Sequence, residues 1–185
     1  MRSQNHKTHE QLEDEKWLIE KAQANPKDFE PLYNQYFEKI FRFVYQRMEN
    51  KEEASDITSQ VFIKALVNIN NFRYRTVPFS AWLYRIAINE VSSFYSNSKK
   101  NRQVNIETVQ LNNFFEEPNP DLMEERIETI IEVLKQISDN DLILIEMRFF
   151  ENRSFNEIAG IIGITENNAK VKVYRVIDKM KQKIF

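Results

Sequence analysis

The chain has 185 residues, 42% hydrophobic and 29% charged, with a formal charge of -2 and no cysteine, which excludes disulfide staples, thiolate metal sites and cysteine nucleophiles. Both histidines, His6 and His9, lie in a polar start, so acid–base work falls to carboxylates and lysines, and these read as solvated helix faces. The start, MRSQNHKTHEQLEDEK, lacks the apolar core of a secretory signal, and no stretch approaches the roughly 18 apolar residues of a membrane span. A cytoplasmic chain without membrane insertion is expected.

Helical periodicity dominates, and turns are marked by Asn, Asp, Ser and Pro. The expected fold is all-α, two small helical domains joined by a flexible acidic linker. A tail over 1–11 precedes a first helix from Leu12 to Ala24, stopped by Asn25 and Pro26. The next helix is expected to start with Asp28 as its cap and Pro31 in its first turn, and to run to Met48. It would bury Phe29, Leu32, Tyr33, Phe37, Ile40, Phe41 and Val44. A third helix, Lys51 to Asn68, places Ala54, Ile57, Val61, Phe62, Ala65 and Leu66 on one side. NNFRYRTVPFS then breaks the pattern before a fourth helix over Phe79 to Ser96, with Phe79 and Trp82 as its core aromatics. The four helices close one bundle over 12–100.

Residues 101–121 lose all periodicity and contain Pro118 and Pro120, which reads as an extended linker. Charge is divided unevenly around it. The segment 103–147 carries eleven acids against Arg126 and Lys135, a net -9 that leaves +7 for the remainder. Six of the basic residues fall within 168–185, so the far end is the strongest basic stripe.

Helices resume over 122–185: Leu122 to Ile137, then Asp139 to Phe150 behind Ser138. Ser154 and Glu157 form a capping-box pattern, and Thr165 starts the last helix. The only two glycines, Gly160 and Gly163, fall in this stretch. Gly163 supplies the left-handed residue that a tight reversal between two helices needs, and Gly160 beside Ala159 lets the helices cross closely. Helix, short glycine turn and helix make a DNA-binding helix-turn-helix. On the last helix Ala169, Val173, Val176, Ile177 and Met180 face inward, while Asn167, Asn168, Lys170, Lys172 and Arg175 offer amides and cations to base edges and phosphates. A helical hairpin with a solvated lysine face is the plainer alternative.

The fourth helix mixes Tyr84 and Tyr95 with Arg85, Asn89, Lys99 and Lys100. Aromatics beside cations and an amide form a stacking platform for unpaired bases, and a packed helix with a basic end is the plainer alternative. No Gly-rich phosphate loop or metal-ligand spacing is present, so no catalytic residue, metal or cofactor is expected.

Taken together, EEASDITSQVFIKAL, FSAWLYRIAIN and LILIEMRFFENRSFNEIAGIIGITENNAKVKVYR resemble, in order, three segments of the extracytoplasmic-function (ECF) class of bacterial sigma factors. The resemblance implies that the first domain is sigma region 2, which binds core RNA polymerase and melts promoters. It implies that the second is region 4, which reads the upstream promoter element. Asp56 and Gln60 would bind the polymerase β′ coiled coil. Asn89, with Arg73, Tyr74 and Arg75 of the loop from Asn71 to Ser80, would hold a flipped base, assisted by Tyr84, Arg85, Lys99 and Lys100 on the melted strand. Asn167, Asn168, Lys170, Lys172 and Arg175 would enter the upstream major groove.

The chain departs from the family pattern where Ser59 and Gln60 stand in place of an amide-acid pair, and where Ser93 and Ser96 replace an aspartate and an arginine. The partners implied are core polymerase through β′ and β, promoter DNA, and an anti-sigma factor. A stand-alone helix-turn-helix regulator acting without polymerase is the alternative function, and a helical enzyme built on clustered carboxylates a third.

Overall fold

The computed structural model describes residues 9–74, 78–98 and 129–184, and every regular element among them is helical. Residues 1–8, the linker and the first turns of the helix expected from Leu122 lie outside the described residues, whereas 9–11, expected in the tail, belong to the first helix. By its internal contacts the chain divides into two compact units, Met1–Arg102 and Gln103–Phe185.

In the first unit α1 spans His9–Ala24. Asn25 ends it, and its side chain accepts from the Lys27 N–H at 3.2 Å, capping a 3-10 turn over Pro26–Phe29. Asp28 is therefore not the cap of the next helix. It sits inside this turn, its carboxylate accepting from the Asn25 amide at 3.3 Å, because proline pre-sets the turn one residue after Asn25. Helix α2 spans Glu30–Tyr45, without a side-chain cap and with Pro31 in its first turn. Helix α3, Lys51–Asn68, starts at Asn50, which accepts from the Glu53 N–H at 2.8 Å. A 3-10 turn over Ile69–Asn71 follows, then α4 over Phe79–Ser98.

Helices α2, α3 and α4 pack on one another, and α1 lies against α2 and the two 3-10 turns. Leu32, Tyr36, Ile40, Phe79 and Leu83 are fully buried at their centre, each such side chain contributing about 1.5–3 kcal/mol. The buried face of α2 is Leu32, Tyr36, Ile40, Phe43 and Val44. Tyr33, Phe37 and Phe41, expected in the core, are instead half-buried and form with Tyr45 a ladder of rings 5.1–6.0 Å apart along the neighbouring face. Arg47 is buried too. Its guanidinium stacks 3.6 Å from the Phe43 ring centre and donates to the Phe43 carbonyl, while its own carbonyl accepts from the Tyr95 hydroxyl.

The second unit contains α5 (129–136), α6 (Asp139–Ile145), α7 (Phe155–Ile162) and α8 (Glu166–Ile184). Ser138 caps α6 through the Asp141 N–H. Where the sequence pattern predicts a continuous helix to Phe150, the chain widens into a π turn over Glu146–Phe150, and Asn152 closes it at φ 52. Asparagine tolerates that left-handed conformation better than most residues. Ser154 and Glu157 make a reciprocal capping box: the Ser154 hydroxyl accepts from the Glu157 N–H, and the Glu157 carboxylate accepts from the Ser154 N–H at 2.8 Å. Leu134, Ile145, Met147, Ile158, Ala169 and Val173 form the centre of this core.

Candidate nucleic-acid interface

On the first unit a cleft of about 450 Å³ opens between α3, the Ile69–Asn71 turn and α4. That volume is within the roughly 300–1,000 Å³ range of small-ligand clefts. Asn68 and Asn71 line one side, and Trp82, Ile86, Asn89 and Ser93 come from α4. Four-residue spacing along α4 puts Trp82, Ile86, Asn89, Glu90 and Ser93 on one stripe, so the aromatic, the aliphatic and the polar groups share a wall. Trp82, expected in the core, is only half-buried, wedged 5.1 Å from Phe72 and 5.6 Å from Phe79. Lys64 and Glu90 form an ion pair at 2.6 Å, in which the carboxylate is 13% exposed and the ammonium 52%.

Asn71 and Asn89 thus line one cleft. The loop residues Arg73 and Tyr74 lie beside the turn. Arg73 is exposed, and its guanidinium folds back to donate to the carbonyls of Asn70 at 2.6 Å and Phe72 at 3.1 Å. The Tyr74 hydroxyl points back to Glu15 at 3.5 Å, and burial, then the Glu15 charge, pushes its pKa up. Glu15 is a buried acceptor of the Tyr36 hydroxyl, whose pKa is pushed up first by burial and then by the same charge. Nothing in the sequence marks Glu15, because its partners lie 21 and 59 residues away.

One expected strand-binding residue is corrected. Tyr84 is 6% exposed and its ring meets Phe43 edge to face at 5.0 Å, so it belongs to the core between α2 and α4. Tyr84 lies two positions beyond Trp82, on the side of α4 that also buries Ala87 and Val91, and aromatic character does not distinguish the two sides. Tyr95 is buried likewise, and Arg85 is half-buried. Arg75, Lys99 and Lys100 lie outside the described residues.

The outward face of α3 carries Asp56 and Gln60, both exposed and one turn apart. The same stripe continues through Ile63 and Val67, which are 52% and 73% exposed. Two bare aliphatics in register with two polar groups form a mixed surface that the sequence pattern had not singled out.

In the second unit Gly163 ends α7 at φ 74, ψ 39, its N–H donating to the Ala159 carbonyl at 2.8 Å. The Thr165 hydroxyl accepts from the Asn168 N–H at 3.3 Å and opens α8. Ala169, Val173, Val176 and Met180 are buried, and Asn167, Asn168, Lys170, Lys172 and Arg175 are exposed on the other side. Val171 and Tyr174 share that outer side, 39% and 50% exposed, with the Tyr174 ring 6.1 Å from Phe155. Not all of the terminal basic stripe faces outward as a phosphate surface. Lys179 pairs with Asp141 at 2.9 Å and Lys183 donates to Gln136 at 3.1 Å, tying α8 to α6 and α5.

The family profile described as Sigma-70 region 2 matches residues 32–101, the part of the first unit that holds the cleft and the α3 stripe. The ECF RNA polymerase sigma factor BldN of Streptomyces coelicolor is 30% identical over 163 residues, 86% of this chain and 62% of that protein. The RNA polymerase sigma-H factor of Pseudomonas aeruginosa is 27% identical over 184 residues, covering 92% and 95% of the two chains. A solved structure of CnrH in complex with the cytosolic domain of CnrY has a TM-score of 0.56 at 18% identity over 90% of this chain and 94% of that one, a likeness of fold. Residues 32–101 thus match the Sigma-70 region 2 family, and along most of its length the chain is similar to RNA polymerase sigma factors, one of the ECF class among them.

Proposed function

We propose that the chain binds core RNA polymerase and directs it to chosen promoters, supplying recognition and strand capture and no chemistry of its own. The observation that carries this reading is the cleft in which Asn71 and Asn89 converge beside Trp82. An unpaired base displays its Watson–Crick edge only when it leaves the stack, and two amides beside an aromatic side chain can hydrogen-bond that edge and pack against its face.

The α3 stripe is the polymerase-facing surface in this reading. Asp56 and Gln60 supply polar contacts to the β′ coiled coil, while Ile63 and Val67 supply apolar area that is otherwise left in water. An anti-sigma protein would compete by covering the same stripe. In the second unit, Asn167, Asn168, Lys170, Lys172 and Arg175 on the exposed side of α8 read and grip the upstream duplex in the major groove. The protein acts where polymerase acts, in the cytoplasm.

Reconstitution with core polymerase and sequencing of transcript starts tests the proposal. New, sequence-specific start sites are expected. Tight, specific duplex binding by the chain alone, with starts unchanged, would assign it instead to regulators that work without polymerase.

A further inference from the structure

Helix α1 reaches the segment that walls the cleft with two polar side chains, one near each end of that segment. The Gln23 amide donates to the carbonyls of both Ile69, at 2.9 Å, and Phe72, at 3.1 Å. A single side chain therefore clasps the Ile69–Asn71 turn at its first residue and at the residue just past it. Two turns earlier on α1, Glu15 is 2% exposed, accepts from the Tyr36 hydroxyl with one oxygen and approaches the Tyr74 hydroxyl with the other. Ile19 and Ala22 supply the apolar contact between them.

A helix docked only for stability buries aliphatic side chains, because a polar group buried without full pairing is costly. Here the inward stripe of α1 gives two of its places to groups that bond the backbone and a side chain of one six-residue stretch, 46 to 59 residues away. That stretch is also the one that contributes Asn71 to the cleft. Backbone carbonyls held by a fixed donor cannot swing, so the Asn71 amide keeps its place across from Asn89.

We infer that Gln23 and Glu15 are positioning residues for strand capture: α1 holds residues 69–74 in the shape that binds an unpaired promoter base. The inference rests on the promoter-melting reading above.

The test uses holoenzyme made from the full chain and core polymerase. The probe is a fluorescent single-stranded oligonucleotide carrying the non-template strand of a promoter found by transcript-start mapping. Gln23→Met keeps the side-chain length and removes the donor, and Tyr74→Phe removes one hydroxyl. Gln23→Met is expected to weaken strand binding about tenfold with core association within about twofold of wild type, and Tyr74→Phe about threefold. Asn71→Ala should weaken binding in the wild-type background and add little in Gln23→Met, since a displaced amide has nothing left to lose. A purely structural role predicts no such coupling.

Strand binding within twofold of wild type in both Gln23→Met and Tyr74→Phe overturns the inference. So does full additivity of Asn71→Ala with Gln23→Met, or a parallel loss of core and strand binding. A wild-type holoenzyme that shows no preference for the single strand overturns the promoter-melting reading itself, and the inference falls with it.

Discussion

The Lys64 ammonium lies 2.6 Å from the Glu90 carboxylate, linking α3 to α4 beside the cleft. Half-exposed ion pairs are worth about 0–1 kcal/mol, so this one locates the two walls more than it holds them together. Lys64→Ala is expected to lower unfolding free energy by no more than about 1 kcal/mol in urea titration, and the loss should shrink in high salt.

Two surfaces in separate units predict two separable defects. Arg175→Ala should lower holoenzyme affinity for the upstream duplex by about 1–3 kcal/mol, the worth of a base contact, and leave core association unchanged. Asp56→Ala should do the reverse. Gel shifts and core-binding assays on both variants check this, and equal loss of both activities in each would contradict the division.

The placement of Tyr84 in the core has a measurable consequence. Tyr84→Ala should destabilise the first unit by about 3–5 kcal/mol, as truncation of a buried aromatic does. Thermal unfolding of the free protein detects it, with no nucleic acid present. A fully stable Tyr84→Ala protein would return this ring to the surface.

The turn between α7 and α8 is held by backbone conformation. Gly163 has φ 74, and a Cβ there costs about 1–2 kcal/mol, so Gly163→Ala should lower stability by that amount. Ser154→Ala, which breaks the capping box at the other end of α7, should cost about 1 kcal/mol. Chemical denaturation monitored on the second unit reads both.

Alkali should loosen the first unit. The hydroxyls of Tyr36 and Tyr74 both have pKa values raised in the folded protein, mainly by burial and then by Glu15. The unfolded chain therefore releases these protons first, near the ordinary tyrosine value of about 10. Their contribution is intact below that pH and is lost as pH climbs beyond it. The urea midpoint of the wild type should fall more steeply between about pH 9.5 and 11.5 than that of Tyr36→Phe.

The end of α1, the start of α7 and the glycine turn were legible because their signals are local: Asn25 with Pro26, Ser154 with Glu157, and Gly163 each act within a few residues. The face of α2 was not. Aromatics fill two adjacent sides of that helix, Tyr36 and Phe43 on one and Tyr33, Phe37 and Phe41 on the next, and hydrophobicity alone cannot rank them. The same ambiguity misplaced Trp82 and Tyr84. The resemblance pointed to Asn89 and gave Asn71 only as the start of a loop; their shared cleft, and the clasp from Glu15 and Gln23, depend on approaches between distant segments that no short pattern encodes.

The widened turn at Glu146–Phe150 spends one more residue per rotation than the helix before it. Removing one residue from this stretch would restore regular winding with the chain beyond it left in nearly the same rotational phase, because the extra residue is what the wider turn absorbs. Met147, now sealed inside, and the capping serine at 154 could then both keep their stations. An added residue has no such slack and would turn the chain beyond it by about a quarter-turn, so this small interval accepts a one-residue deletion more readily than a one-residue insertion.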